Sequence, residues 1–229
     1  MKTKIQHWIE DYAHALRHHA RSLLARKEPS HYLDYIEEGK PPIVLIPGIY
    51  EKWHFLQGIA DPLSLQGYPI YVVRSLERNT REIREGAERV HRFLVEHNLS
   101  NVITIAHSKG GLIAKYLLLR WGSEERIRKV IAIATPFVGS TVVSMLPLPA
   151  LRELHSKSAI IQELGREREV NRHILSIYGH FDNHVWPTSS CVLEGAKNVQ
   201  VDAHGHHAIL SDPAVLKLVF EEVKNTKFP

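Results

Sequence analysis

Five short runs, residues 43–46, 70–73, 102–105, 130–133 and 174–177, are built almost wholly of aliphatic side chains, most of them β-branched. Strands of this composition are at home only where both faces are covered, which is the situation of a parallel sheet sandwiched between helices. Residues 53–66, 80–98 and 109–121, lying between the runs, carry helical spacing of apolar positions. Right-handed crossovers then stack these helices on a mainly parallel sheet. A sixth strand near 199–201 and a helix over 211–224 complete the pattern, so the expected fold class is α/β.

Length and composition agree. A chain of 229 residues with 44% hydrophobic and 24% charged residues suits a globular α/β domain and excludes disorder, collagen and coiled coil. The 29 Lys+Arg against 25 Asp+Glu leave a net charge of only +4. With one cysteine, Cys191, there is neither an internal disulfide nor a thiolate zinc site, which excludes a stapled secreted scaffold. The basic start at Lys2 and Lys4 is followed by charged residues instead of an apolar stretch, so a cytoplasmic chain is the expectation. The long uncharged run over 130–151 is interrupted by Pro136, Gly139, Pro147 and Pro149 and reads as a buried strand entering an apolar loop.

Residues 5–26 place Ile5, Trp8, Ile9, Tyr12, Leu16, Ala20, Leu23 and Leu24 on one stripe of an amphipathic helix whose other face carries His and Arg. The stripe is expected to pack on the domain; a weak membrane-surface or partner contact is the alternative. His14, His18 and His19 read as a solvated face. The expected organisation is an N-terminal helix and connector over 1–40, then a single α/β domain over 41–229 that includes a small cap region at 137–171. There is no internal repeat.

The strand at 102–106 runs into Ala106-His107-Ser108-Lys109-Gly110-Gly111, after which Leu112, Ile113, Tyr116, Leu117 and Leu119 begin a helical stripe. A serine flanked at two residues' distance by small side chains, on a strand-to-helix turn, is the pattern that lifts a nucleophilic hydroxyl clear of a sheet; here Ala106 replaces the first glycine. The competing reading of Ser108 is a helix cap.

On these residues the chain resembles the lipase and esterase branch of the α/β-hydrolase family, over most of its length from about Pro41 to Val223. The resemblance implies the order serine, acid, histidine. The stretch Gly179-His180-Phe181-Asp182 with Val185-Trp186-Pro187 puts Asp182 in the acid position, with Asp202 and Glu194 as rivals. Gly205-His206-His207-Ala208-Ile209-Leu210 is similar to the turn that opens the last helix, with His206 as base and His207 and His204 as rivals. Pro47-Gly48-Ile49-Tyr50 resembles the oxyanion loop, so the backbone N–H groups of Ile49 and Lys109 are the implied oxyanion donors. Pro47 stands where a histidine is often found. Ala134-Thr135-Pro136-Phe137-Val138-Gly139-Ser140 is similar to a further stretch of the same branch. Tyr50, Phe137, Val138, Val142, Met145 and Leu146 are candidate lining residues of an acyl pocket.

The implied activity is hydrolysis of carboxylic esters with an apolar acyl group, through an acyl-enzyme on Ser108, without a cofactor. Acyl transfer or thioester cleavage by the same residues, and a catalytically silent adaptor, are the alternatives. The histidines 180, 184, 204, 206 and 207 raise a metal site as a lesser reading, but no H-E-x-x-H pattern occurs and none is expected. Arg120, Arg126, Arg128 and Lys129 lack interleaved aromatics, so no nucleic-acid partner is expected. Oligomeric state is not legible.

Overall fold

The computed structural model describes residues 3–24, 28–122, 126–145 and 148–226, without the side chains of 22–24, 144 and 145. Six strands, β1 (Ile43–Ile46), β2 (Ile70–Val72), β3 (Val102–His107), β4 (Ile127–Ile133), β5 (Ile174–Phe181) and β6 (Lys197–His204), form one sheet in the order β2-β1-β3-β4-β5-β6. Every pairing is parallel. The five aliphatic runs and the sixth strand therefore fall where the sequence places them.

Alternation along each strand feeds two cores. Ile43, Leu45, Ile103 and Ile105 face one side, where α3 (Gln57–Ser64) and α7 (Pro213–Asn225) pack. Val44, Ile46, Val102 and Ala106 face the other, covered by α4 (Ile83–Glu96), α5 (Lys109–Trp121) and α6 (Ala159–Arg166). Covering both faces is what lets these strands dispense with polar residues. A short helix, α2 (His31–Asp34), precedes β1, and residues 137–171 hold short 3₁₀ turns and α6.

The N-terminal helix α1 (Lys4–Leu24) corrects the sequence reading of its stripe. Its buried residues are Asp11, Ala15 and His18, whereas Ile5, Trp8, Ile9, Tyr12, Leu16 and Ala20 are exposed. The side chains of Leu23 and Leu24 lie outside the described residues. The physical reason is that the polar face finds partners inside: His18 Nδ1 meets the carbonyl of His54 at 3.1 Å, and Asp11 is taken up by a loop described below. His18 and the half-buried His19, both against the Phe55 ring, are thus not a solvated face.

Candidate active site

Parallel strands in one sheet end on one side, and the singled-out residues follow those ends: Ile49 after β1, Ser108 after β3, Asp182 after β5 and His206 after β6. Ser108 itself adopts φ 52° and ψ −121°, a left-handed conformation that non-glycine residues hold only under constraint. The constraint is visible on both sides of the turn. Ser108 N–H donates to the Ile133 carbonyl at 2.9 Å, and a Cβ on Gly110 would lie 2.1 Å from the Ile46 carbonyl oxygen. Glycine at 110 is what allows α5 to start so close to the end of β1.

The structure brings Ser108, His206 and Asp182 together. His206 Nε2 lies 2.9 Å from Ser108 Oγ, and His206 Nδ1 lies 2.8 Å from Asp182 Oδ2; all three residues are buried. Asp182 Oδ1 accepts the backbone N–H groups of His184 (2.7 Å) and Val185 (2.8 Å). Burial alone pushes the Asp182 carboxyl up, but His206 and these two donors outweigh it and hold the group below its ordinary value. An ionised carboxylate only accepts, so Nδ1 carries the proton and Nε2 is left to accept from the serine hydroxyl. Ser140, at the end of the Thr135–Pro136 stretch, fastens the acid's loop: its Oγ donates to the His184 carbonyl at 2.8 Å and accepts from Trp186 N–H at 3.0 Å.

The rivals are engaged elsewhere. His207 Nδ1 meets Asp11 Oδ2 at 3.0 Å, His204 stacks on His7 at 4.2 Å, Asp202 is exposed on β6, and Glu194 pairs with Arg168.

Four residues of the site carry no local sequence signal. Asp11 on α1 reaches into the histidine turn, where Oδ1 accepts from the N–H groups of His207 (2.6 Å) and Ala208 (2.8 Å) and Oδ2 from Asn183 Nδ2 (3.0 Å). Asn183 Oδ1 in turn accepts His206 N–H at 3.0 Å. Behind these three residues, Glu51 accepts from Gly48 N–H at 2.7 Å and faces His107 Nδ1 at 2.8 Å, while His107 Nε2 meets the His206 carbonyl at 2.9 Å. One buried ion pair thereby ties the loop after β1 to the turn that bears His206. Its only sequence trace is position: Glu51 closes the Pro47-Gly48-Ile49-Tyr50 loop and His107 sits beside Ser108.

The electrostatics of that pair give a stability signature. Burial raises the Glu51 carboxyl, but the charge and hydrogen bond of His107 reverse this and bring it down to about 2; burial lowers His107, and Glu51 more than restores it, to above the ordinary imidazole value. A carboxyl lowered on folding stabilises fully above its unfolded value near 4.5 and loses that contribution as pH falls towards 2; the raised His107 contributes below about 6.5 and loses it as pH climbs through its folded value. The expected result is a Tm that falls as pH is lowered from about 4.5, with Glu51 contributing on the order of 3 kcal/mol. Thermal melts from pH 6 down to about pH 2.5 check this. Glu51→Gln should flatten the acid limb; an unchanged limb would remove Glu51 from the account.

A cavity of about 750 Å³ opens above Ser108 and His206. Its walls include Trp8, Tyr12, Ala15 and Leu16 of α1, Ile49, Tyr50 and Glu51 of the loop after β1, and Val142, Val143, Leu148, Leu151 and Leu154 between β4 and α6. Of the expected lining residues, Tyr50 and Val142 are in place. Phe137 is instead packed into the core beside α5, and Val138 is exposed to solvent outside the cavity. The chain turns back at Gly139 (φ 85°), and the cavity is lined by Pro136 before the turn and by Ser140, Val142 and Val143 after it. Leu146 and the Met145 side chain lie outside the described residues. Ile49 lines the cavity beside Ser108, and Lys109 N–H is the first of α5, where a helix has no acceptor of its own to offer. The Lys109 side chain turns inward, donating through Nζ to the carbonyls of Asn79 (3.2 Å) and Arg81, and burial pushes it down to about 8.

For metals, the ligand atoms of Asp11, His184 and His207 lie within 4.8 Å of one another, whereas His180 and His204 are not part of this group. Burial, then the charges of His206 and His207, push His184 down to about 3, which leaves its ring neutral and able to ligate. The Asp11 oxygens are already held by three N–H donors and the His207 ring, so the cluster closes on itself by hydrogen bonds.

No family model and no curated protein sequence matches the chain. Solved structures do. Aspergillus fumigatus lipase B superposes with a TM-score of 0.67 at 20% identity over 87% of this chain, which spans only 56% of that lipase's length. An α/β hydrolase from a sediment metagenome of the Mar Chica lagoon, Morocco, gives 0.63 at 20% identity, covering 85% of this chain and 94% of its own. The monoacylglycerol lipase of Paleococcus ferrophilus gives 0.63 at 14% identity, covering 85% and 97%. The strand order, the strained serine after β3 and these superpositions together establish that this chain has the α/β-hydrolase fold.

Proposed function

We propose that the protein is a serine carboxylic ester hydrolase, acting on esters whose acyl part is apolar. The observation that carries this reading is the continuous hydrogen-bonded line from Asp182 through His206 to Ser108 at the floor of an apolar cavity. A serine hydroxyl is a weak nucleophile until a neutral imidazole takes its proton. In the proposed reaction Ser108 Oγ attacks the ester carbonyl while its proton passes to His206 Nε2. The C–O bond to the alcohol then breaks, His206 returns the proton to the leaving oxygen, and the acyl group stays on Ser108. Water, deprotonated by the same Nε2, releases the acid. The N–H groups of Ile49 and Lys109 hold the oxyanion, a role worth roughly 3 kcal/mol per donor in enzymes of this kind. Asp182 fixes the tautomer and stabilises the imidazolium.

Intact-mass analysis after treatment with a fluorophosphonate tests the class and the nucleophile at once: one adduct per chain, mapping to Ser108, is expected. Absence of any adduct on the folded protein would favour a silent adaptor. Soluble short-chain esters should show ordinary saturation below their solubility limit, because the cavity already opens to solvent. kcat/KM should be lost at acid pH, because only a neutral imidazole accepts the proton of Ser108. A rate that jumps only at the micellar threshold would contradict an open site.

A further inference from the structure

We propose that the outward stripe of α1 docks the protein on an anionic lipid surface, with the mouth of the cavity turned towards the lipid. Ile5, Trp8, Ile9, Tyr12 and Leu16 recur at helical spacing, and Ile5, Ile9 and Leu16 are 72%, 64% and 71% exposed. The face that a surface helix normally buries is here turned outward, because Asp11 and His18 are needed within. A contiguous exposed apolar patch on a folded protein marks a contact surface.

Two observations choose lipid as the occupant. The first is continuity: Trp8, Tyr12 and Leu16 belong both to the stripe and to the wall of the cavity that reaches Ser108. An acyl chain leaving a lipid layer along the stripe enters the cavity without crossing water. The second is charge. Lys4 borders the stripe, Arg17 and Arg21 are exposed elsewhere on the helix, and Glu10 is the one exposed acidic residue among the described residues of α1. An apolar face bearing Trp and Tyr, on a helix whose exposed residues carry more cations than anions, is the chemistry of a helix that lies in a membrane interface and favours anionic headgroups. No described helix is long and apolar enough to cross a membrane, so the contact lies in the surface plane.

The proposal deepens the esterase reading, on which it rests, by naming the physical form of the substrate, and its deciding readout is binding, with turnover of a soluble ester as the control. The full-length protein is sedimented with vesicles of phosphatidylcholine alone and of phosphatidylcholine with phosphatidylglycerol. The variant Ile5→Gln/Ile9→Gln alters two side chains that do not line the cavity. The expected result is partition onto the mixed vesicles that weakens with salt and falls at least about tenfold in the double variant, with hydrolysis of a soluble ester unchanged. Failure of the wild-type protein to partition, equal partition on both vesicle types, or a double variant that partitions like the wild type would each overturn the proposal. So would a wild-type dimer that the double substitution converts to a monomer without any vesicle binding in either. Loss of soluble-ester activity in the wild type would sink the esterase reading while leaving the partition result to stand.

Discussion

Ser108→Ala should lower kcat on soluble esters by on the order of 10⁴ to 10⁶, and His206→Ala by a similar factor. The double variant should be hardly worse than either single one, because a nucleophile without its base and a base without its nucleophile are equally idle. The geometry makes the test sharp. His206 Nε2 stands 2.9 Å from Ser108 Oγ, while the neighbouring His207 directs Nδ1 at Asp11. Near-normal turnover by His206→Ala, with His207→Ala dead, would transfer the base to the wrong neighbour and refute the assignment. Multiplicative losses in the double variant would show that the two side chains do not act in one step.

Asp182→Asn is expected to fold with a melting temperature close to the parent and to lose about 10⁴-fold in kcat. The amide oxygen can still accept the N–H groups of His184 and Val185, which keeps the loop in place. It can also present its NH₂ to His206, which favours the tautomer with the proton on Nε2, and that imidazole cannot accept from Ser108. Asp202→Asn, on an exposed position of β6, should leave the rate within about twofold. If Asp202→Asn is the damaging change, the acid has been misplaced.

The fold was legible because strands buried on both faces have no room for polar residues, and because glycine at 110 marks a close approach that only one turn geometry requires. That Ser108, Asp182 and His206 could meet was legible through motifs that are local: each sits within a few residues of a strand end. Asp11, Asn183, Glu51 and His107 were not, since what defines them is a partner far away in sequence, and periodicity carries no information about that. The α1 stripe shows a different limit. A period of 3.6 reveals that a helix has an apolar face but not which way the helix turns it. That choice was made by an aspartate whose usefulness depends on a loop near the other end of the chain. Phe137 and Val138 were assigned to the pocket by proximity to a motif, and the reversal of the chain at Gly139 redirected both.

The bond between Asp11 and the N–H of His207 joins residues 196 positions apart. On the ribosome, the helix that bears Asp11 emerges before every strand of the sheet, and the turn that bears His206 only after the last of those strands. The sheet from β1 to β5, with the serine and the acid at its edge, has all of its strands before β6 is synthesised. A nascent chain can therefore hold most of its sheet while the turn that bears His206 has yet to form, and closure of the candidate site becomes a late event set by the meeting of two segments far apart in sequence.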